Sequence, residues 1–340
     1  MSPQVAEFIV PGAWYPLARS EALGAQPQPI LFGGQPWVLF RSGERPVAVV
    51  DRCPHRGAPL SHGRVHKGML QCGYHGWSFD GSGECRHIPS STKTGRRPGF
   101  GVPSMEVVEQ QGIIWGAPSE TASTPPWIEV WERPDYAHFP LDSVMPANLL
   151  DTAENILDVP HTAYLHGGWF RTEARRVVEV HVRRGSDLAA ARFLGEPAPA
   201  GLLGRILAAP KTDGLFHEDR FRLPCIAEVE YRLGDINHLH IVSLLTPSAD
   251  LSTRVFSTAS LRLRTGQRAT SWLARPFAKR VLAQDAAMLR AISESTSSAP
   301  ELPHRSAEID VLGPHIRRLI DDARTGASTE PWERRIAMRV

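Results

Sequence analysis

The sequence predicts an α+β protein in two parts, a small antiparallel β domain over residues 1–120 and a larger α+β domain over residues 121–340. Three observations point that way. Between Trp14 and Ile114, short apolar runs at 36–40, 47–51, 69–73 and 112–115 are broken by Gly and Pro, as short strands joined by tight turns require. Residues 117–126 are polar, Pro-bearing and without apolar period, which marks a connection between domains. Beyond them, strand-like runs at 177–182, 226–233, 238–245 and 254–263 precede helical spacing, which begins only near Phe277.

In the first part, Cys53-Pro54-His55 and Cys72-Gly73-Tyr74-His75, with 16 residues between them, pair one thiol with one imidazole twice. That is the ligand set of a two-iron, two-sulfide cluster in which imidazoles replace the thiolates on one iron. Neutral imidazoles raise the potential of that iron and titrate with its reduction, so a proton-sensitive one-electron centre is expected. Pro54, Gly57, Pro59, Gly63, Gly73 and Gly76 supply the turns for two facing loops at a hairpin tip. The alternative is a Cys2His2 zinc site. Zinc fingers place the Cys pair before the His pair, whereas here the types alternate, which favours iron.

A chain of 340 residues, 42% of them hydrophobic, is long enough for two cores. The net charge is only +2, with both signs intermixed, so no field able to recruit nucleic acid is expected. Arg175-Arg176, Arg183-Arg184 and Arg317-Arg318 read as solvated faces. Cys85 and Cys225, left over from the four cysteines, read as buried and reduced, which predicts a cytoplasmic protein. Neither a signal peptide nor an 18-residue apolar window is found, so no transmembrane segment is expected. No internal repeat is visible, and residues 195–214, rich in Ala, Gly and Pro, read as a surface insertion or a lid.

The second part carries a polar cluster inside an apolar stretch: Glu154, Asn155, Asp158, His161 and His166. On a regular helix His161 and His166 would stand about 140° apart. A distortion near Pro160, or a helix end at Gly167-Gly168, is needed to bring them together. Spacing alone leaves both a metal site and an ordinary polar core segment open. Asp158, three residues before His161, is placed to orient that imidazole. Farther on, Phe277, Val281, Leu282, Met288, Leu289 and Ile292 recur at helical spacing, and Asp285 falls in the same stripe. A carboxylate facing a core needs a cation or hydrogen bonds to compensate it. Two imidazoles and this carboxylate would bind Fe(II) and leave positions open; the alternative is a rotated helix on which Asp285 pairs with Lys279 or Arg290. Glu218, Asp219 and Glu230 read as surface or strand-face charges.

The runs from Pro54 to Gly57 and from Tyr74 to Trp77 resemble the Rieske domain of Rieske non-haem iron oxygenases, with Gly73 where Pro is common. Respiratory Rieske proteins add a cysteine beside each loop, near the places taken here by Ala58 and Trp77. Asn155, Asp158, His161 and His166 are similar to the family's Asn-x2-Asp-x2-His-x4-His iron segment, and Gln284-Asp285 to its Glu/Gln-Asp pair. The resemblance implies a [2Fe–2S] cluster on Cys53, His55, Cys72 and His75, and a mononuclear Fe(II) on His161, His166 and Asp285. It places Asn155 near the iron and makes Asp158 the link to the cluster-bound His75 of a neighbouring subunit, hence a head-to-tail homotrimer. It further implies a catalytic domain of helix-grip type in a terminal oxygenase acting with O2 on a small hydrophobic compound, aromatic, polycyclic or sterol-like. Hydroxylation or oxidative demethylation fits the short, monooxygenase-like branch better than ring dihydroxylation does. No Gly-x-Gly-x-x-Gly follows a strand, so a ferredoxin and/or NAD(P)H-dependent reductase is expected on another chain. Trp169, Phe170, Phe216, Ile241 and Leu244 are candidates for the pocket or equally for the core. The rival reading is a Rieske-type electron-transfer protein without oxygenase chemistry; a regulatory iron–sulfur sensor would need a DNA- or partner-binding element that the sequence lacks.

Overall fold

The computed structural model describes residues 3–93, 98–119, 121, 123–167, 177–196, 215–264, 266–302 and 304–339. Trp169, Phe170, Arg175-Arg176 and residues 197–214 of the expected loop lie outside them. The chain divides into two compact units, Met1–Trp127 and Ile128–Val340, where the sequence reading placed the boundary after residue 120.

The first unit contains strands β1 (Tyr15–Arg19), β2 (Gln28–Phe32), β3 (Gln35–Ser42), β4 (Arg45–Val50), β5 (Arg64–His66), β6 (Met69–Gln71), β7 (Ser78–Phe79), β8 (Cys85–His87), β9 (Ser104–Gln110) and β10 (Ile113–Ala117). They form a sheet ordered β1-β10-β9-β4-β3-β2 and a smaller sheet β5-β6-β7-β8. Gly33 and Gly34, at φ 62° and 72°, close the β2–β3 hairpin, where two left-handed residues match the twist of the flanking strands. Phe40, Val49, Leu60, Leu70 and Phe79 pack with Cys53, Cys72 and Cys85 in one buried cluster, so the loops that carry the thiols grow out of a firm apolar base.

The second unit adds β11 (Ala137–Met145), β12 (Val177–Arg184), β13 (Leu188–Leu194), β14 (Leu215–Arg222), β15 (Ile226–Leu233), β16 (Asn237–Ala249), β17 (Ser252–Arg262) and β18 (Trp332–Arg339). These make one antiparallel sheet ordered β11-β17-β16-β15-β14-β13-β12-β18. Strand periodicity of two separates its faces. Asp219, Val229, Ile241, Ala259 and Phe139 lie opposite one another across five neighbouring strands and share one face. Glu218, Arg220, Glu228, Glu230, His238 and His240 alternate with that set and share the other. The 32-residue helix Gln267–Ser298 covers the first face. Its Ala274, Phe277, Ala278, Val281, Leu282 and Asp285 follow the i, i+3, i+4, i+7 spacing of an amphipathic helix, and all six line the cavity left between helix and sheet. Met288 and Ile292, counted in that stripe from sequence, are instead 44% and 39% exposed and border a second, open hollow.

Candidate metal centres

The two Cys–His loops of the first unit are built alike. In each, the residue four beyond the Cys is a glycine at φ 72° whose N–H donates to the Cys carbonyl, Gly57 to Cys53 at 2.9 Å and Gly76 to Cys72 at 3.0 Å. The Cys N–H donates in turn to the residue five beyond it, Ala58 or Trp77, at 2.8 Å in both loops. A side chain at Gly76 would also strike Pro89 Cγ, so glycine there answers both to backbone angle and to space. These bonds turn the thiols inward, each Cys being 2% exposed, and leave His55 and His75 outward with ring centroids 4.5 Å apart. His55 stacks on Trp77 at 4.7 Å and 5°. Burial, with Cys72 beside it, pushes the Cys53 thiol up to about 11. A buried thiol of that kind ionises only against nearby positive charge, and with Cys72 buried beside it the donor set suits a metal cluster. Among the described residues, these four donors do not form a group converging within 4.8 Å, whereas His161, His166 and Asp285 do.

In the second unit the helix Leu149–Leu157 stops at Asp158, whose extended backbone (φ -86°, ψ 111°) leads into Val159-Pro160. The carboxylate of Asp158 accepts the His161 N–H at 3.2 Å and so starts the short turn His161–Tyr164. His166 lies beyond the end of that turn. The helix break and the short turn together remove the 140° conflict of a continuous helix, and the two rings stand 5.2 Å apart at 75°. Asp285 comes to meet them from the long helix: its Oδ1 is 3.0 Å from His166 Nε2 and 3.6 Å from His161 Nε2. It pairs with the histidines and not with Lys279 or Arg290, and it is 7% exposed.

The other nitrogen of His166 is held as a metal ligand requires: Nδ1 is 3.0 Å from Gln284 Oε1. A proton kept on Nδ1 by that acceptor leaves the Nε2 lone pair facing the carboxylate, an arrangement that a cation between them satisfies. His161 Nδ1 lies 3.3 Å from Asp158 Oδ2 without a hydrogen bond. Burial works against charge on His166, and Asp285 with Gln284 Oε1 outweighs it, holding the ring above its ordinary value. Gln284→Leu is expected to weaken iron retention by about 10- to 100-fold in a chelator competition, as loss of such an outer partner does; unchanged retention would deny Gln284 an orienting role.

These three donors line a cavity of about 220 Å³. Asn155, Asp158 and Thr162 border it beside them, and Phe139, Leu141, Val229, Leu239, Ile241 and Leu282 make it apolar elsewhere. Ile241 thus lines the cavity. Leu244 is fully buried away from it, and Phe216 lies under the guanidinium groups of Arg232, at 3.7 Å, and Arg192, at 4.8 Å.

Two ionic clusters escaped the sequence reading. On the cavity face, His217 bonds Glu196 Oε2 through Nδ1 at 2.6 Å and Asp219 Oδ1 through Nε2 at 3.1 Å. Phe193 and Tyr231 stack on its two sides. On the opposite face, Arg220 reaches Glu218, Glu228 and Glu230 at 3.1, 2.9 and 2.8 Å. Glu230, His238 and His240 also converge closely enough for a metal, but the Arg220 guanidinium, 3.3 Å from His240 Nε2, already serves as their cation. Glu218, Asp219 and Glu230 are strand-face charges, as expected, and are all buried. Doublets such as Glu228-x-Glu230 and His238-x-His240 on adjoining strands were the signal available for this second network.

These pairings set opposite limits in pH. Burial opposes charge on His217, but Asp219 and Glu196 override it and raise its pKa from 6.5 to about 9. Its raised pKa gives stability that is complete below 6.5 and lost as pH rises through about 9. Burial would raise Glu228 and Glu230, yet His240 and Arg222 for the first, His238 and Arg220 for the second, hold each at about 2. Their contribution is present above 4.5 and lost as pH falls through about 2. Melting temperature is therefore expected to be highest between these limits. His217→Gln should flatten only the alkaline limb in calorimetry; a wild-type slope there in the variant would contradict the assignment.

Residues 13–106 match the Rieske [2Fe-2S] domain family and residues 145–325 the vanillate O-demethylase oxygenase C-terminal domain family. The chain is 34% identical over 212 residues to the oxygenase component of dicamba O-demethylase from Stenotrophomonas maltophilia, over 60% of this chain and 62% of that protein. It is 34% identical over 172 residues to chlorophyllide a oxygenase from Chlamydomonas reinhardtii, over 46% of this chain and 24% of that one. Both matches span less than two thirds of the relative's own length. A crystal structure of dicamba monooxygenase bound to 3,6-dichlorosalicylic acid shares the fold, with a TM-score of 0.80 at 24% identity, covering 94% of this chain and 98% of that one. The chain belongs to the Rieske non-haem iron oxygenases, of the type that carries the vanillate O-demethylase C-terminal domain. A [2Fe–2S] cluster and a mononuclear iron are the cofactors of that class.

Proposed function

We propose that this chain is a terminal oxygenase in which Cys53, His55, Cys72 and His75 hold the cluster and His161, His166 and Asp285 hold one ferrous ion. The observation that carries the reading is the convergence of two imidazole Nε2 atoms on one buried carboxylate oxygen in the lining of an apolar cavity. When bound, the two groups supply one-electron delivery and dioxygen activation. The net reaction balances as C–H plus O2, two electrons and two protons giving C–OH and water, with the electrons drawn from NAD(P)H through a reductase or ferredoxin on a separate chain.

The protein's own part is positional. The sheet row and the helix stripe exclude water and hold the substrate against the open side of the three ligands. Asp158, already beside His161 Nδ1, orients that ring. As in the family, Asp158 also links to the cluster ligand His75 of the partner subunit, in a head-to-tail homotrimer. Asn155 borders the cavity next to the ligands. Four buried cysteines that form no disulfide favour a cytoplasmic location, where thiols stay reduced.

A cavity of about 220 Å³ suits a substituted single ring, since an apolar hole of about 150 Å³ takes benzene. It favours the aromatic end of the range expected from sequence. With O-demethylases among the relatives, an aryl methyl ether is the first substrate class to test; oxidation of its methyl group releases formaldehyde. With NADH and a surrogate reductase, oxygen uptake and formaldehyde release are expected only when such an ether is present. Oxygen uptake that no member of an aromatic and sterol panel stimulates would instead favour the electron-carrier reading.

A further inference from the structure

The two imidazoles proposed to hold the cluster stand in unlike surroundings. The His55 ring lies flat on the indole of Trp77, with centroids 4.7 Å apart and planes 5° from parallel. Trp77 is itself fixed: it is 8% exposed, belongs to the core cluster with Leu60, Leu70 and Phe79, and meets the Phe100 ring at 5.6 Å. Its carbonyl accepts the Cys72 N–H at 2.8 Å, so the side chain that supports His55 is tied through its backbone to the second Cys–His loop.

His75 has a different footing. Among the described residues its ring contacts are His55, edge-on at 4.5 Å, and Tyr74 at 3.8 Å and 44°, and Tyr74 is 63% exposed. A ring laid on a packed indole keeps one plane. A ring beside an exposed phenol follows a side chain that changes rotamer freely in solvent. The stack also has an electronic consequence. The face of an aromatic ring is the negative side of its quadrupole, and indole presents the strongest such face. An imidazole bound to iron is poorer in electrons when that iron is ferric, so the Trp77 face favours the oxidised cluster.

We propose that Trp77 is a positioning residue that fixes the plane of His55 and lowers the reduction potential of the cluster, leaving His75 as the adaptable ligand of the pair. The proposal rests on the reading of Cys53, His55, Cys72 and His75 as the cluster ligands, and gives the two imidazoles different tasks.

The test is a spectroelectrochemical titration of the full-length, cluster-loaded protein at one fixed pH, with pulsed EPR of the reduced state to resolve the two imidazole nitrogens. Trp77→Leu is expected to move the reduction equilibrium about three- to tenfold toward the reduced form, tenfold being about 59 mV for one electron. Trp77→Phe, whose ring face is less electron-rich, should fall between, and Tyr74→Ala should keep the wild-type potential. One nitrogen coupling should broaden in Trp77→Leu while the other stays as it was. In the wild type alone, one coupling is expected to be narrow and the other spread, a result that needs no variant to fold. An unchanged potential in Trp77→Leu, an equal shift in Tyr74→Ala, two wild-type couplings of equal width, or loss of the cluster from both Trp77 variants would overturn the proposal. Absence of the cluster signal from the wild type is a separate outcome, which removes the ligand assignment itself.

Discussion

Asp285→Ala is expected to abolish substrate oxidation while the iron–sulfur centre persists. Asp285 is the sole carboxylate within reach of both Nε2 atoms among the described residues that converge there, and it stands 3.0 and 3.6 Å from them. Without it, two neutral imidazoles remain, a set with much lower affinity for a hard ferrous ion. Turnover should fall by at least about three orders of magnitude, ~4 kcal/mol of barrier. The cluster's visible spectrum should be unchanged, because its proposed ligands belong to the other compact unit. Asp285→Asn, which keeps shape and loses charge, should fall between. Full turnover by the alanine variant would remove Asp285 from the metal site.

Cys72→Ser is expected to have the second large effect, reaching stability as well as activity. Cys72 is 2% exposed and belongs to the core cluster of Leu60, Leu70 and Phe79, so a serine hydroxyl there is buried in apolar surroundings. It also removes one of the two thiolates proposed to hold the same iron. Metal binding in so small a unit contributes directly to its folding free energy. The variant should therefore lose cluster absorbance and all reductant-dependent turnover, and its first melting transition should fall by roughly 4 °C or more for each kcal/mol lost. A serine variant with the wild-type spectrum and melting curve would rule out Cys72 as a ligand.

These residues were legible for physical reasons that differ. The Cys53–His55 and Cys72–His75 loops carry their donors close together in the chain, and each is closed by a glycine four residues on, so spacing already nominates these four as a candidate ligand set. Asp285 was found by helical period, because a carboxylate in an apolar stripe conflicts with its surroundings unless something answers it. The pairing of His161 with His166 needed the resemblance, since it depends on a helix break at Asp158–Pro160 that a count of five residues argues against.

What the sequence did not disclose depends on the covering of strand faces. Alternation shows that His217 and Asp219 share one face of β14 and Glu218 and Arg220 the other, yet not that the first face borders the cavity and the second is a closed ionic network. The partner that clamps His217 from outside its own strand, Glu196, is 21 residues earlier. Phe216 and Ile241 looked equivalent as pocket candidates for the same reason; only the assembled sheet puts Ile241 in the cavity and Phe216 beneath two arginines.

The most direct measurement is the iron and acid-labile sulfide content of anaerobically purified protein, for the wild type and for Asp285→Ala side by side. Two metal centres in one chain require about three irons and two sulfides in the wild type, falling to about two irons and two sulfides in the variant. About two irons in both proteins, or a third iron that survives loss of the carboxylate, would contradict the account.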